Sequence, residues 1–382
     1  MSAVHALTDD QRALVDTTRD FAREHLAPHA VTWDREKHFP LDVLRKAAAL
    51  GLGGVYVPEE DGGSGLGRTD GALVFEALAT GCPSLAGYLS IHNMVGWMVA
   101  RYGDAHQRGR LLPALCSMDA PASYCLTEPG AGSDAAALRT RAVRDGDGYV
   151  LDGVKQFISG AGASELYLVM ARTGSVGPSG ISAFLVERDD PGLSFGPNEQ
   201  KMGWNAQPTR QVVLDGVRLP AGRRLGAEGD GFRIAMNGLN GGRLGIAACS
   251  LGGAQSALER SLSHLRDREA FGAPLVQAQA LQFQLADMAT ELRAARALVH
   301  EAAAALDAGA ADAAQLCAMA KRFATDTGSS VADTALQLHG GYGYLSEYGM
   351  EKIVRDLRVH RILEGTNEIM RLIVARGLTG AA

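Results

Sequence analysis

The residue best suited to acid–base chemistry is a glutamate close to the C-terminal end of the chain. Glu364 lies in the run Leu363, Glu364, Gly365, Thr366, between an apolar segment and the start of a helix. A loop carboxylate that points into a cleft can remove a proton when burial raises its pKa toward the working pH. A loop glutamate is more often only a surface charge, so this residue needs a partner feature before it indicates catalysis.

A second segment offers that partner feature. Residues 123–134 read SYCLTEPGAGSD, which is dense in hydroxyls and glycines. Glycines such as Gly132 allow the backbone N–H groups to approach a ligand closely. Tyr124, Thr127 and Ser133 add hydroxyls. From its chemistry alone the segment is either a cofactor loop or a decorated turn between domains. Paired with a carboxylate base, it suggests proton abstraction coupled to flavin chemistry.

Two further kinds of motif are weaker. The run KQFISGAG at 155–162 places Phe157 and Ser159 on one face of a predicted strand, where a flat ring could contact both. An ordinary strand that ends in a glycine turn explains it equally well. Arg243 in NGGR and Arg268 in REAFG are suited to phosphate. A lone arginine on a helix is usually solvated.

Several function classes are not indicated. The sequence has no dinucleotide-binding or P-loop glycine pattern, no G-x-S-x-G, and no metal-ligand spacing among its ten histidines. We therefore expect no metal site. The net charge of −6 without a basic stripe argues against nucleic acid, and apolar runs are too short for a membrane span. A start without a recognisable leader and five scattered cysteines predict a cytoplasmic protein with reduced thiols.

The hydrophobic pattern divides the chain into three parts. Residues 1–118 are predicted to be helical, 119–228 form short strands separated by Asp-Gly turns, and 229–382 are helical again. This order predicts an α+β protein and not an alternating βαβ enzyme. Local capping signals are also visible: Thr8 with Gln11 as a capping box, Asp312 and Thr366 or Asn367 as N-caps, and Gly377 as a helix end.

Taken together, the motifs and their order resemble the acyl-CoA dehydrogenase family over essentially the whole chain. The matching segments are YCLTEPGAGSD, KQFISGAG, REAFG, QLHGGYGYL and LEGTNEIMRLIVAR. The resemblance implies an N-terminal helical domain, a middle β-barrel or sandwich domain and a C-terminal four-helix bundle. It also implies non-covalently bound FAD, an acyl-CoA thioester substrate, a homotetramer built as a dimer of dimers, and electron-transfer flavoprotein as the acceptor.

The resemblance also implies roles for individual residues, with Glu364 as the base that removes the α-proton. Residues expected to line the flavin ring are Tyr124, Cys125, Leu126, Thr127, Gly132, Ser133, Phe157, Ile158 and Ser159. Residues expected to reach the FAD of a neighbouring subunit are Arg268, Phe271, Gln279, Gln337, Leu338, His339, Gly340 and Gly341. Residues expected to complete the cofactor site are Thr366, Asn367 and Glu368. Residues expected to contact the CoA thioester are Ser133, Asn240, Gly241, Gly242, Arg243, Gly365 and Arg376.

Some relatives carry their catalytic glutamate on a bundle helix instead. The matching position here is Gly242, so that alternative position has no carboxylate and Glu364 is the expected base. Many members have tryptophan where this chain has Phe157 and glutamine where it has Glu368. These departures leave the expectation of FAD binding in place.

Finer features are similar to the branch of the family that acts on short, branched acyl groups. They are LSIHNM at 89–94, ISGAGAS at 158–164, GWNAQPTR at 203–210 and GLNGGR at 238–243. They imply oxidation of isobutyryl-CoA to methacrylyl-CoA. Alternatives that stay open are a dehydrogenase for 2-methylbutyryl-CoA or butyryl-CoA, an oxidase that passes electrons to oxygen, and a flavin-binding scaffold without catalysis.

Overall fold

The N-terminal part begins with a helix whose first turn is capped by its own side chains. Thr8 Oγ1 accepts a hydrogen bond from the Gln11 backbone, and Gln11 Oε1 accepts one from the Thr8 backbone. This is the predicted capping box, and it is confirmed. The computed structural model describes residues 7–380 of the chain. The helices of this part are α1 (Asp9–Phe21), α2 (Ala30–Glu36), α3 (Leu41–Ala49), α4 (Arg68–Ala79), α5 (Pro83–Tyr102) and α6 (Ala105–Cys116).

The middle part is a twisted sheet. Its strands are β1 (Ala122–Cys125), β2 (Arg141–Asp145), β3 (Gly148–Ser159), β4 (Leu166–Arg172), β5 (Ile181–Glu187), β6 (Leu193–Phe195), β7 (Thr209–Pro220) and β8 (Arg224–Leu225). The strand order is β6-β7-β3-β2-β4-β5-β8, with β1 pairing parallel to β4. Strand β4 is buried at six successive positions, because helices cover one of its faces and the sheet's own side chains cover the other.

Strands β3 and β7 form a long antiparallel pair whose register shifts between Lys155 and Ile158. At this bulge Phe157 adopts a left-handed backbone conformation, with φ of 59°. A bulge bends the strand and redirects a side chain. Phe157 is accordingly 64% exposed while Ile158 beside it is buried.

The C-terminal part is a bundle of long helices. They are α7 (Gly231–Asp267), α8 (Gln279–Asp307), α9 (Ala313–Leu338), the single turn α10 (Gly341–Tyr344), α11 (Met350–His360) and α12 (Asn367–Thr379). A two-strand hairpin, β9 (Glu269–Ala270) and β10 (Ala273–Pro274), joins α7 to α8. Helix α7 has 37 residues and is therefore about 55 Å long. It packs against α4 and α5 of the N-terminal part, β4 and β5 of the sheet, and α8 and α9 of the bundle, so one helix connects the three parts.

The helix-terminus predictions had mixed outcomes. Thr366 caps α12, because its side chain accepts a hydrogen bond from the Ile369 backbone. Asp312 precedes α9, but its side chain makes no capping hydrogen bond. The prediction for Gly377 is wrong, because α12 continues to Thr379 and Gly380 follows in a left-handed conformation. Gly377 is instead a packing position, since a Cβ there would collide with the side chain of Gln315.

Across residues 7–380, no helix is both long enough and apolar enough to cross a lipid bilayer.

Candidate active site

Glu364 occupies a tight loop between α11 and α12. Its φ is 56° and that of Gly365 is 92°, so two successive residues are left-handed. A glutamate rarely adopts this conformation, and such strain is typical of functional positions. The loop is held from the other side by the Thr366 cap on α12. The strained turn directs the Glu364 side chain inward, toward α7.

The carboxylate of Glu364 lies against the double glycine of α7. A Cβ on Gly242 would collide with Glu364 Oε2 and would come within 2.9 Å of the Met94 sulfur on α5. Arg243 Nε donates a hydrogen bond to the Glu364 carbonyl oxygen at 3.5 Å. Glu364 Oε2 is buried and has no hydrogen-bond partner among the described residues. A buried, unpaired carboxylate oxygen needs a partner, and a substrate proton is one.

Burial raises the pKa of Glu364 to about 7, while the positive charges of Arg243 and Lys321 act in the opposite direction. A pKa near the working pH gives both a deprotonated fraction and enough basicity to accept a proton. Ordinary surface glutamates titrate more than two units lower. The loop therefore gives Glu364, the predicted base, a pKa that suits a general base.

Lys321 on α9 is a functional residue that the sequence motifs did not reveal. Its side chain is fully buried, and Nζ donates hydrogen bonds to the Gly365 carbonyl at 2.8 Å and to Asn367 Oδ1 at 3.0 Å. Burial lowers its pKa to about 7, and the charge of Glu364 opposes that change. A signal was present: Lys321 places a charge in the buried stripe of α9, whose other residues, such as Cys317 and Ala324, are uncharged.

Asn367 is a structural residue at this loop. It is buried, and its Nδ2 donates to Thr325 Oγ1 at 3.0 Å and to Asp326 Oδ1 at 2.9 Å. With Lys321 on its oxygen, the amide is saturated by protein groups. The side chain of Asn367 therefore fixes α12 to α9, and its cofactor role stays a prediction.

Strand β1 brings Tyr124 to the same place. The Tyr124 hydroxyl is buried without a hydrogen-bond partner in the part of the chain that the structure describes, and its pKa is raised by burial and by the charge of Glu364. His92 on α5 holds the strand: its Nδ1 accepts from the Ala122 N–H at 3.0 Å. Its Nε2–H faces the carbonyls of Gly53 and Leu115. Burial lowers the pKa of His92 to about 4, so the ring stays neutral.

A buried ion pair fixes the glycine-rich loop after β1. Lys155 Nζ on β3 lies 2.7 Å from Glu128 Oε1 and 3.1 Å from the Leu126 carbonyl. The same carboxylate accepts hydrogen bonds from the backbone of Arg139 at 2.6 Å and of Thr140 at 2.9 Å. Every charge of the pair is thus hydrogen-bonded, which is the condition for a stable buried pair.

The surface beside this loop fits a flat ring system. Phe157 presents an exposed aromatic face from the β3 bulge, and Thr127 and Ser159 are half-buried beside it. Cys125, Leu126 and Ile158 are buried beneath them, so they contribute backbone groups and packing. Gly132 and Ser133 are exposed, and a Cβ on Gly132 would meet nothing within 4 Å. An exposed aromatic ring, hydroxyls and an open glycine loop suit the face and edge of a flavin.

The substrate residues are divided between two environments. Asn240 Oδ1 accepts a hydrogen bond from Arg243 Nη1 at 2.7 Å, so these two residues share the α7 surface with Gly241 and Gly242. Arg376 is exposed on α12, outside the buried cluster around Glu364, and Glu368 of the predicted cofactor site is exposed on the same helix.

One predicted group lies far from Glu364 within the chain. Arg268 follows Gly242 by about seven helical turns, or roughly 39 Å along α7. Its guanidinium lies 5.8 Å from the centre of the Tyr342 ring, beside the turn that follows α9. The other members of this group, most of them exposed, are Phe271, Gln279, Gln337, Leu338, His339, Gly340 and Gly341. These residues therefore form a second cluster, separate from the one around Glu364, and their cofactor role stays a prediction.

Models of three protein domains match the chain in sequence order. They are the acyl-CoA dehydrogenase N-terminal domain at residues 8–119, the middle domain at 123–217 and the C-terminal domain at 229–379. Among curated proteins, isobutyryl-CoA dehydrogenase, mitochondrial, of Bos taurus is 52% identical over 97% of this chain and 89% of its own length. The protein of the same name from Dictyostelium discoideum is 54% identical over 98% of this chain and 90% of its own length. Both are named as mitochondrial, so the cytoplasmic location stays a prediction.

Solved structures agree with these matches. Butyryl-CoA dehydrogenase from Megasphaera elsdenii has a TM-score of 0.95 at 36% identity, over 99% of this chain and 100% of that one. A chain from work on the electron transferring flavoprotein of Acidaminococcus fermentans has a TM-score of 0.96 at 37% identity, over 99% of both chains. Glutaryl-CoA dehydrogenase of Mycobacterium smegmatis in complex with FADH2 has a TM-score of 0.93 at 31% identity, over 98% of this chain and 96% of that one.

Proposed function

This chain belongs to the acyl-CoA dehydrogenase family, and from that premise we propose that it oxidises isobutyryl-CoA to methacrylyl-CoA. The two relatives at 52–54% identity carry the name isobutyryl-CoA dehydrogenase and extend over nearly the whole chain, which supports this substrate. The enzyme is a flavoprotein that uses FAD. The observation that carries the mechanism is the buried, unpaired carboxylate of Glu364 against the open face of α7.

In this mechanism Glu364 removes the α-proton of the acyl group. The thioester carbonyl makes that proton acidic, and the raised pKa of Glu364 makes the carboxylate basic enough to accept it. Bound FAD supplies the acceptor for the hydride that leaves the β-carbon. Burial around Glu364 also excludes water, which would otherwise solvate and weaken the base. A positioned general base typically accelerates proton transfer by about 10²–10⁴-fold.

The loop also supplies a hydrogen-bond donor. The backbone N–H of Glu364 is assigned to the thioester oxygen, where negative charge develops as the proton leaves. Loss of one such donor typically costs about 3–4 kcal/mol of transition-state stabilisation. Lys321 and the Thr366 cap hold this turn, so they hold the donor and the base together.

The flavin-facing and CoA-facing roles follow from the surfaces described above. Phe157, Thr127 and Ser159 are assigned to the flavin ring, and Ser133, Asn240 and Arg243 to the CoA thioester. Arg243 is buried and Asn240 fixes its guanidinium, which suits it to a fixed polar partner more than to solvent.

The exposed apolar residues of the bundle support assembly with further copies of the chain. Phe271 is fully exposed at the tip of the β9–β10 hairpin, and Phe283, Tyr344 and Leu378 are largely exposed on neighbouring helices. Soluble proteins seldom leave so many large apolar side chains uncovered. A homotetramer, with residues around Arg268 reaching the FAD of a neighbour, accounts for them. Electron-transfer flavoprotein is the proposed electron acceptor.

The decisive experiment is anaerobic titration of the purified, yellow protein with isobutyryl-CoA, with flavin absorbance as the readout. The wild-type flavin should bleach. Glu364→Gln should retain FAD and bind the thioester, yet reduce its flavin at least 100-fold more slowly. Glu301→Gln is the matched control, because that carboxylate is exposed on α8 and has no assigned role in the site. Near-normal bleaching by Glu364→Gln would refute the base assignment.

Substrate rank is tested with the same assay. Isobutyryl-CoA should reduce the flavin faster than 2-methylbutyryl-CoA, which carries one more methylene, because one methylene in a fitted cavity is worth about 1–3 kcal/mol. It should also reduce the flavin faster than its unbranched isomer butyryl-CoA, which has the same number of carbons but a different shape. A different order among these thioesters would reject isobutyryl-CoA as the preferred substrate. The same order with rapid peroxide formation in air would indicate an oxidase.

A further inference from the structure

Arg68, the first residue of α4, is a buried cation without a carboxylate partner. It is 6% exposed, and its Nη1 has no hydrogen-bond partner in residues 7–380. The nearby carboxylate of Asp307 instead accepts the backbone N–H groups of Arg68 at 2.6 Å and of Thr69 at 2.9 Å. A buried guanidinium without a counter-ion is costly, so a fold keeps it only where it has a use.

The guanidinium lies against two aromatic rings. Its Cζ lies 4.0 Å from the centre of the Tyr56 ring and 4.6 Å from the centre of the Trp97 ring. Both are cation–π contacts. Two such contacts restrict the position of the group, which an alkyl side chain of similar length would not achieve.

Arg68 and the catalytic base contact the same turn of α7 from other elements. A Cβ on Gly241 would collide with Arg68 Nη1, just as a Cβ on the next residue, Gly242, would collide with the Glu364 carboxylate. Both Arg68 Nη1 and Glu364 Oε2 are buried without a hydrogen-bond partner in the described chain, and so is the Tyr124 hydroxyl, whose pKa the charge of Glu364 raises. We call the region between Arg68 and Glu364 along this turn the wedge; Met94 and Trp97 of α5 also border it.

This wedge is where the acyl group belongs, if the proposed function holds. The α-carbon must contact Glu364, so the rest of the acyl chain extends from Gly242 along α7. We propose that Arg68 is the specificity-determining residue that closes the far end of this wedge and limits the enzyme to short acyl groups.

An arginine makes a firm end wall. A longer acyl chain would have to displace the guanidinium from both rings and leave its charge buried without compensation. A leucine or methionine in that place would adjust its rotamer and admit extra methylenes. The missing side chain at Gly241 provides the room that the guanidinium occupies.

The test is the chain-length profile of anaerobic flavin reduction in the FAD-loaded enzyme. We expect wild type to reduce its flavin readily with C4 and C5 thioesters and poorly with hexanoyl-CoA and octanoyl-CoA. In Arg68→Ala, the ratio of kcat/KM for hexanoyl-CoA to that for isobutyryl-CoA should rise at least 10-fold, since each admitted methylene is worth about 10- to 200-fold in a fitted cavity. Arg68→Leu, an apolar replacement suited to the aromatic slot, is the second variant if Arg68→Ala does not fold.

Thr69→Ala is the matched control, because Thr69 lies on the same turn of α4 and bonds Asp307 instead of facing α7. Its chain-length ratio should equal that of wild type. A ratio within twofold of wild type in both Arg68 variants, with FAD retained, would overturn the proposal. So would a wild-type enzyme that prefers hexanoyl-CoA to every C4 thioester. A wild type that favours butyryl-CoA over isobutyryl-CoA rejects the proposed substrate but leaves the role of Arg68 standing.

Discussion

Replacement of Lys321 by methionine should raise the pH at which the enzyme becomes active. The Lys321 ammonium donates to the carbonyl of Gly365, the residue directly after the base. A positive charge at that place favours the carboxylate form of Glu364. Methionine has a similar length without the charge. In the variant, the pKa of Glu364 should therefore exceed its wild-type value of about 7.

The size of the effect follows from Coulomb's law. For a charge separation of roughly 7 Å, an effective dielectric constant of about 20 gives about 2.4 kcal/mol, or about 1.7 pKa units. Burial lowers the pKa of Lys321 itself to about 7, so the lysine is only partly charged near neutral pH. We therefore expect an observed displacement of about one pH unit.

The assay is the pH dependence of flavin reduction at low isobutyryl-CoA, which reports ionisations of the free enzyme. The acid limb of this pH profile is the low-pH range in which the rate falls because Glu364 becomes protonated. In Lys321→Met this limb should move up by about one pH unit. Two other groups face Glu364, Arg243 from α7 and Tyr124 from β1, and both are unchanged in this variant.

Two further variants separate charge from packing. Lys321→Arg keeps the charge at every pH used, so its acid limb should lie at or below that of wild type. Thr325→Val removes a hydroxyl that bonds Asn367 without removing any charge, so its limb should stay in place. A Lys321→Met enzyme that retains FAD and the wild-type limb would refute the electrostatic argument, as would an equal displacement in Thr325→Val.

Three other expectations follow from the site and its supports. Gly242→Ala should slow flavin reduction at least 10-fold without loss of FAD, because its Cβ meets the Glu364 carboxylate; stopped-flow bleaching measures this. Lys155→Met should cost about 3–5 kcal/mol in urea unfolding, because a buried carboxylate loses its partner. His92 and His360 have pKa values lowered by burial to about 4 and about 3, so the unfolded chain binds more protons below its histidine pKa of about 6.5. Stability should therefore fall as pH drops from about 6.5 to about 4, by about 3 kcal/mol for His92 alone, and His92→Gln should flatten urea midpoints measured across that window.

Local signals were read correctly where neighbouring residues decide the outcome. The Thr8 capping box depends on residues three apart, and the Thr366 cap depends on the turn that it begins. The family resemblance names Glu364 as the base and Gly242 as the empty alternative position, but only the structure shows that the two residues meet.

The residues that sequence reasoning missed owe their roles to packing between distant segments. Lys321 and Arg68 are separated from Glu364 by 43 and 296 positions in the sequence, and each carries a charge that a pattern would assign to the surface. The bulge that turns Phe157 outward arises from its register with β7. Gly377 was read as a stop signal because a glycine after a helical run commonly is one. In the structure, Gly377 instead packs against the side chain of Gln315 on α9, which leaves no room for a Cβ.

Burial raises the pKa of Glu364, and two cations offset part of that rise. Burial alone would raise the pKa of Glu364 so far that the base stayed protonated at neutral pH. The cations of Arg243 and Lys321 without burial would lower it below the pKa of a surface glutamate, which makes the carboxylate too weak a base for a carbon acid. Their combination holds the pKa at about 7. The same two cations also bond the carbonyls of Glu364 and Gly365, so the groups that tune the base are the groups that fix its strained turn. Loss of either cation should therefore change the pH profile and the geometry together, whereas loss of Arg68 should change only which acyl groups fit.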